Sequence, residues 1–422
     1  MTNQSSRHII CYKLTNSQTQ KESLMTLHIP ALIMLILLVL LPDLYLSYQL
    51  KLRRPHHWAS HLLLWLPSML SLLGFILLST CAHKISSPIV LQQTAWFFTL
   101  FALIYVPKLV FVTFHLLNSI VHHLTRCTSN IITLIGATCS VALFIILLTG
   151  TIHTRKNIVV KHVEIKHTDL PIQFDGLRIA HITDQHLGNW GKDTTFLSKV
   201  VNTINQQHPD IICTTGDMVN NFADEISPFI HIWQRMQAPL GKYAILGNHD
   251  YGDYTTWETP QARTANLNAT KQHIRNSGFK LLLNQHTALT RGTDTLYIAG
   301  VENWGKPPFP QYGDLNKTMQ NIPQNAFTIL LSHDASHWKR EVVERKNIQL
   351  TLSGHTHAAQ MGIVTKKIKF SPSAYIYDEW DGLYQHENQF LYVNHGLGFI
   401  GMAMRIGVPP EITIITLRRD NT

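Results

Sequence analysis

Leu177-Arg178-Ile179-Ala180-His181-Ile182-Thr183-Asp184-Gln185-His186 is an apolar, β-rich run that ends in a carboxylate and an imidazole two residues apart. The same arrangement recurs along the chain. Gly216-Asp217 follows the apolar run 210–214, and Gly247-Asn248-His249-Asp250 follows 242–246. Ser332-His333-Asp334 closes the run 327–332, and Gly354-His355-Thr356-His357 follows 350–353. In α/β sheets the loops at the C-terminal ends of strands converge on one rim, where ligand sites form. Five strands bringing carboxylate, amide and imidazole groups to such a rim predict a metal centre.

The residue types specify the chemistry. At an extended strand end Asp184 and His186, spaced by two, can turn toward one point. Asp217 has two oxygens and can bridge two cations, Asn248 offers a neutral carbonyl oxygen, and His333, His355 and His357 offer imidazole nitrogens. A mixed carboxylate and imidazole set without thiolate suits Mn, Fe or Zn rather than a structural zinc knot. Two divalent metal ions ~3.5–4 Å apart would lower the pKa of a shared water and clamp the oxygens of an in-line displacement at phosphorus.

Asp-x-His, Gly-Asp, Gly-Asn-His-Asp, a lone His and Gly-His-x-His, in that order over residues 175–418, resemble the calcineurin-like metallophosphoesterase superfamily. The resemblance implies a metallophosphoesterase double β-sheet sandwich flanked by helices. It assigns Asp184, His186 and His357 to one metal and Asn248, His333 and His355 to the other, with Asp217 bridging. His249 is then the catalytic histidine that protonates the leaving oxygen, and Asp250 orients it. Asp-Gln-His-Leu-Gly, Gly-Asn-His-Asp-Tyr and the Arg405-Ile-Gly-Val-Pro-Pro-Glu terminus are similar to a membrane-associated bacterial phosphoesterase branch, related to UDP-2,3-diacylglucosamine hydrolases. Two departures stand out. Ala358-Ala359-Gln360 replaces Gly-Gly-Gln, and Asn394-His395-Gly396 stands where Asn-Arg-Gly is common, so His395 would have to take over an arginine's hold on phosphate.

The N-terminal region, 1–152, reads differently. Blocks at 29–48, 58–80, 95–117 and 131–149 each reach the ~20 apolar residues that cross a hydrocarbon core. They raise the mean hydropathy to +0.02 with only 14% charged residues. A cleavable signal peptide accounts for at most the first block, because Pro42-Asp43 offers no small-residue cleavage site. Asp43 and Lys108 are costly inside a span unless paired or snorkelling; they either pair within the bundle or sit separately at membrane interfaces, and the second placement is the one expected. Four transmembrane helices place the N-terminus and the 157–422 domain on one side. The basic residues flank both sides, and translation can start at Met1 or Met25, so the side of the catalytic domain stays open. The net charge of +9 suits lipid headgroups and phosphates, and no nucleic acid partner is expected.

Helices are expected at 194–207, with Phe196, Leu197, Val200, Val201 and Ile204 on one face, and at 264–277. Residues 304–324 are expected as a surface excursion. Of five cysteines only Cys213 lies in the large domain, where it reads as packing. His181 likewise reads as packing, and Glu302-Asn303-Trp304 ends a strand near the rim. The expected whole is an α/β membrane-anchored dimetal phosphoesterase, multi-pass in the cell (inner) membrane. By attack of a metal-bridging hydroxide it would cut a phosphodiester, pyrophosphate or phosphomonoester, lipid-linked or not. The alternative is an inactive metal- or lipid-binding sensor.

Overall fold

The computed structural model describes residues 34, 36–52, 58–81, 87–126, 129–307, 309–343, 345, 347–365 and 367–420. Its helices begin with α1 (36–52), α2 (Trp58–Cys81), α3 (Pro88–Thr125) and α4 (Ile131–Ile152). Among the described residues three helices are long and apolar enough to cross a membrane, Trp58–Leu78, Pro88–Thr125 and Ile131–Lys156. The fourth expected span begins outside the described residues, and its described part is helical as α1. Helix α3 is much longer than the 95–117 block, at 38 residues.

Two compact units emerge: residues 1–80 with 101–144, and residues 81–100 with 145–422. Inside the first, Asp43 is fully buried and forms an ion pair with Lys108 while accepting a hydrogen bond from Ser68. Tyr105 Oη donates to Ser68 Oγ at 2.6 Å. The expectation of two separate interfacial charges therefore gives way to a pair. A carboxylate among apolar helices is tolerable when a cation and a hydroxyl neutralise it.

The second unit is built on two six-stranded sheets. The strands are β1 (Val159–His167), β2 (Arg178–Ile182), β3 (Ile211–Thr214), β4 (Lys242–Ala244), β5 (Lys280–Leu281), β6 (Gln285–Arg291), β7 (Asp294–Gly300), β8 (Thr328–Asp334), β9 (Leu350–Gly354), β10 (Ile363–Val364), β11 (Lys369–Phe370), β12 (Gly382–His386), β13 (Gln389–Val393) and β14 (Glu411–Arg419). One sheet runs β1-β14-β2-β3-β4-β5 and the other β12-β13-β9-β8-β7-β6, while β10 and β11 form a separate hairpin.

Period-two alternation decides which face each side chain joins. Ile179, Ile211, Ile329 and Leu331 enter the core between the sheets, whereas Ala180, Ile212 and Leu330 point to the outer cores. Both faces of β2 and β3 are thus buried, which is why these strands read as continuous apolar runs. Over the first sheet lie α5 (Thr195–Gln206), α6 (Ile230–Trp233) and α7 (Pro260–Asn276). All five expected apolar residues of α5 are buried, and Thr259 caps α7 through its side chain. The 304–324 stretch is more than a surface excursion. It contains α8 (Leu315–Met319), and Leu315 and Ile322 are buried in the outer core of the second sheet.

Candidate metal centre

The strings quoted above fall at the C-terminal ends of β2, β3, β8 and β9 and just beyond β4. Strands β2–β4 are mutually parallel, as are β8 and β9, so within each sheet the following loops turn out on the same rim. At the turns the backbone is forced. Asp184, His186, Asp217, His355 and His357 all have φ between 44° and 71°. Non-glycine residues in this left-handed region are strained, and such strain collects at functional sites. The glycines beside them answer a different constraint. A Cβ on Gly354 would stand 2.3 Å from Asp184 Oδ2, and one on Gly247 would stand 2.2 Å from Asp217 Oδ1.

Two groups of ligating atoms result. Asp184, His186 and His357 form one, Asp217, His333 and His355 the other, with the atoms in each group within 4.8 Å of one another. In the first group His186 Nε2 and His357 Nε2 are 3.1 Å apart, and Asp184 Oδ1 lies 3.2 Å from His357 Nε2. In the second, His333 Nε2 lies 3.0 Å from Asn248 Oδ1 and 3.2 Å from His355 Nδ1. Asp217 Oδ2 stands between the groups, 3.8 Å from His186 Nε2 and 3.2 Å from His333 Nε2.

The outer atoms of these rings are held so that the inner ones converge. His186 Nδ1 donates to Asn220 Oδ1 at 3.1 Å, His333 Nδ1 donates to the Thr215 carbonyl at 2.8 Å, and His355 Nε2 meets Tyr377 Oη at 3.0 Å. Such partners fix the tautomer that leaves the other nitrogen free for a cation. Asp184 Oδ1 is buried without a hydrogen-bond donor. The donor set fits two divalent cations, since two buried carboxylates and the inward imidazole nitrogens lie within ligand distance of one another.

The proton affinities agree. Burial alone would raise the Asp184 and Asp217 carboxyls, but the histidines around them hold both below the ordinary carboxylate range. Burial lowers the His186 imidazole to about 3, helped by His249 and His357. His333 goes the other way. Burial opposes its charge, yet Asp217 beside it raises the ring to about 10.

His249 is half-buried. Its Nδ1 donates to the Asn220 carbonyl at 2.8 Å, and its ring lies tilted against Tyr254 at 4.4 Å and meets His186 edge-on at 5.0 Å. The group that orients His249 is thus Asn220, and the expectation that Asp250 does so is corrected. The Asp250 carboxylate accepts from four backbone N–H groups, those of Asp217, Met218, Val219 and Gly247. It ties the β3 and β4 loops together and so sets the position of Asp217. Burial, with Asp217 adding to it, pushes its carboxyl up to about 7.

Other sequence-based expectations are redistributed. Both ring nitrogens of His395 are taken up inside the protein. Its Nδ1 lies 2.7 Å from Asp381 Oδ1 and its Nε2 donates to the Pro409 carbonyl at 2.7 Å. Asp381, His395 and Glu411 form a third buried acid–histidine group, and the Lys161 ammonium, 2.6 Å from Glu411 Oε2, already supplies its cation. Glu302 is taken up by Asn284 and Tyr251, and Trp304 donates to Glu341 and stacks on His337. His181 packs as expected, fully buried with Nε2 3.0 Å from Thr215 Oγ1.

Sequence reasoning missed Asn220, Tyr254, Phe309 and Tyr377. Tyr254 Oη accepts from Asn248 Nδ2 at 2.8 Å, leaving the Asn248 carbonyl oxygen to the metal side, and Phe309 stands edge-on to His355 at 4.7 Å. Only Asn220 carried a signal, three residues beyond Asp217. The aromatic residues arrive from loops that no periodicity marks.

Known proteins are similar to this chain in both of its regions. Residues 28–155 match the family described as a probable calcineurin-like phosphoesterase transmembrane domain, and residues 177–359 match the calcineurin-like phosphoesterase family. The metallophosphoesterase YkuE of Bacillus subtilis, named as uncharacterized, is 31% identical over 263 residues, covering 61% of this chain and 84% of that protein. A transmembrane protein with metallophosphoesterase domain from Danio rerio is 29% identical over 265 residues, covering 61% of this chain and 56% of its own length. The chain thus spans little more than half of the fish relative. A dimetal-type rim on a double-sheet sandwich, carried beside apolar helices and matched by relatives of this kind, makes the chain a member of the calcineurin-like metallophosphoesterase family, a metal-dependent phosphoric ester hydrolase of a membrane.

Proposed function

We propose that this protein hydrolyses a phosphodiester, pyrophosphate or phosphomonoester borne by a lipid, as a multi-pass protein of the cell (inner) membrane, with Mn, Zn or Fe as its cations. The observation that carries the reading is Asp217, whose Oδ2 lies within 4 Å of ligand nitrogens from both groups. Asp184, His186 and His357 would hold one ion, and Asn248, His333 and His355 the other. Bound there, two cations lower the pKa of water and neutralise phosphoryl charge.

The chain's own residues do the remaining work. The Asn220 carbonyl holds the Nδ1–H of His249, so Nε2 is the nitrogen that carries a transferable proton. Burial lowers the proton affinity of this ring, which makes the protonated form a readier donor to a leaving oxygen. Tyr254 holds Asn248, and Phe309 and Tyr377 pack edge-on against His355. Residues 88–100 and 145–156, parts of the apolar helices, belong to the same compact unit as the site, which supports a substrate dissolved in the bilayer.

The test is turnover of bis-p-nitrophenyl phosphate and of phospholipid esters by detergent-solubilised protein supplied with Mn²⁺. Hydrolysis should fall ~10²–10⁴-fold in His249→Ala and at least as far in Asp217→Asn. Absent turnover, or turnover indifferent to both changes, refutes the proposal.

A further inference from the structure

Immediately after the ligand turn His355–His357 the chain makes a feature that the metal chemistry does not use. Strands β10 and β11 pair antiparallel, and beyond β10 the Thr365 N–H donates to the Ile368 carbonyl at 2.8 Å. The hairpin and the loop that follows expose Met361, Ile363, Ile368, Phe370, Tyr375 and Ile376. Ile368 is 57% exposed and Tyr375 83%. An isolated two-stranded hairpin with so much apolar surface gains nothing from water.

Its base, by contrast, is firmly seated. Val364 and Tyr377 pack on Ala358, Trp380 and Val408. Ser371 Oγ donates to the Ala358 carbonyl at 2.6 Å, and Ser373 Oγ to the Thr356 carbonyl at 3.2 Å. Tyr377 joins the same base to His355. The apolar tip is therefore tied to the ligand histidine His355 through Tyr377, and to the backbone on either side of His357 through Ser371 and Ser373.

Two observations identify what the tip meets. The first is its root beside a span. Met361 pairs with Ile406, the Gly362 N–H donates to the Ile406 carbonyl at 2.9 Å, and the next residue back, Arg405, donates its N–H to the Gly150 carbonyl near the end of α4 at 3.2 Å. The second is charge. Lys367 is exposed and its backbone N–H is held by Thr365. The acids on this face, Asp378 and Glu379, are paired with Lys339. Apolar side chains, tyrosine and an exposed lysine together suit the headgroup layer of an anionic bilayer, where rings and alkyl groups enter the acyl boundary and ammonium groups stay at the phosphates.

We infer that the 361–376 hairpin is a second membrane contact, inserted in an anionic lipid surface and holding the metal rim at the bilayer. This goes beyond the hydrolytic reading and is tested without any substrate. In the full chain with its five native cysteines replaced by alanine, Ile368→Cys is spin-labelled and reconstituted in nanodiscs of phosphatidylcholine and phosphatidylglycerol. Thr293→Cys, in the β6–β7 turn at the strand ends away from the rim, is the reference. The expected result is a label several-fold more accessible to oxygen, relative to a water-soluble nickel chelate, than the reference. A label as open to nickel as the reference overturns the inference. So does one shielded from both, which means that protein covers the face. Either result leaves the hydrolysis assay free to stand or fall by itself.

Discussion

His186 and His357 face each other with their Nε2 atoms 3.1 Å apart. Each comes from a left-handed turn after a different strand, β2 and β9, in different sheets. Two imidazole nitrogens this close, with the Asp184 carboxylate beside them, can share one cation. Chelation should therefore lower the melting temperature, since a ligand present at 100 times its Kd contributes about 2.7 kcal/mol. In His357→Ala the drop on chelation should shrink to about half, because one of two sites is lost. An unchanged drop, read by thermal unfolding in detergent with metal content measured in parallel, would count against the assignment.

Asn220 serves two histidines with two different atoms. Its side-chain oxygen receives His186 Nδ1–H, and its backbone carbonyl receives His249 Nδ1–H. Asn220→Ala removes only the first. Metal affinity should weaken ~10–100-fold, as is usual when a ligand's outer partner is lost, while turnover at saturating metal stays within a few-fold. Asn220→Asp, which keeps an acceptor, should recover part of the affinity. A loss of turnover that saturating metal does not repair would show that the side chain acts on catalysis itself.

Ala358 and Ala359 stand at φ 47° and 49° where glycines would sit without strain. Ala358 is buried, but Ala359 is exposed. Left-handed backbone costs a non-glycine residue ~1 kcal/mol or more, and glycine's extra freedom in the unfolded chain returns ~0.5–1 kcal/mol of that. Ala359→Gly is thus expected to leave the melting temperature equal or raise it by a degree or two. A clear fall would mean that the methyl group has a packing role.

His181 carries a pH dependence that can be separated from the metal. Burial holds its imidazole down to about 4 from 6.5, against the opposing charges of Glu411 and Asp184. A histidine depressed in the folded state stabilises above its unfolded pKa, and that contribution is lost as pH falls from 6.5 toward 4, for a total of about 3 kcal/mol. The melting temperature of chelated protein should fall across this window. In His181→Gln the slope should be shallower, although the midpoint is lower throughout because the Thr215 contact changes. Parallel slopes would remove His181 as a cause.

Residue type and spacing made much of this molecule legible. Apolar runs of four to seven residues ending in Asp, Asn or His mark buried strands with ligands at their ends, because burial on both faces and the need for polar groups at a rim both act locally. The long apolar blocks before residue 153 are legible for the same reason. Tertiary structure alone decided the rest. Whether Asp250 orients His249 or clamps the Asp217 loop depends on how β3 and β4 sit side by side, and the four N–H groups that capture it come from two loops. His395 could not be told from a phosphate ligand until Asp381, Glu411 and Lys161, 14 to 234 positions away in the chain, closed around it. Asp43 and Lys108 likewise became a pair only when their helices packed. Strand patterns are written in neighbouring residues, whereas a buried charge is defined by whichever distant group neutralises it.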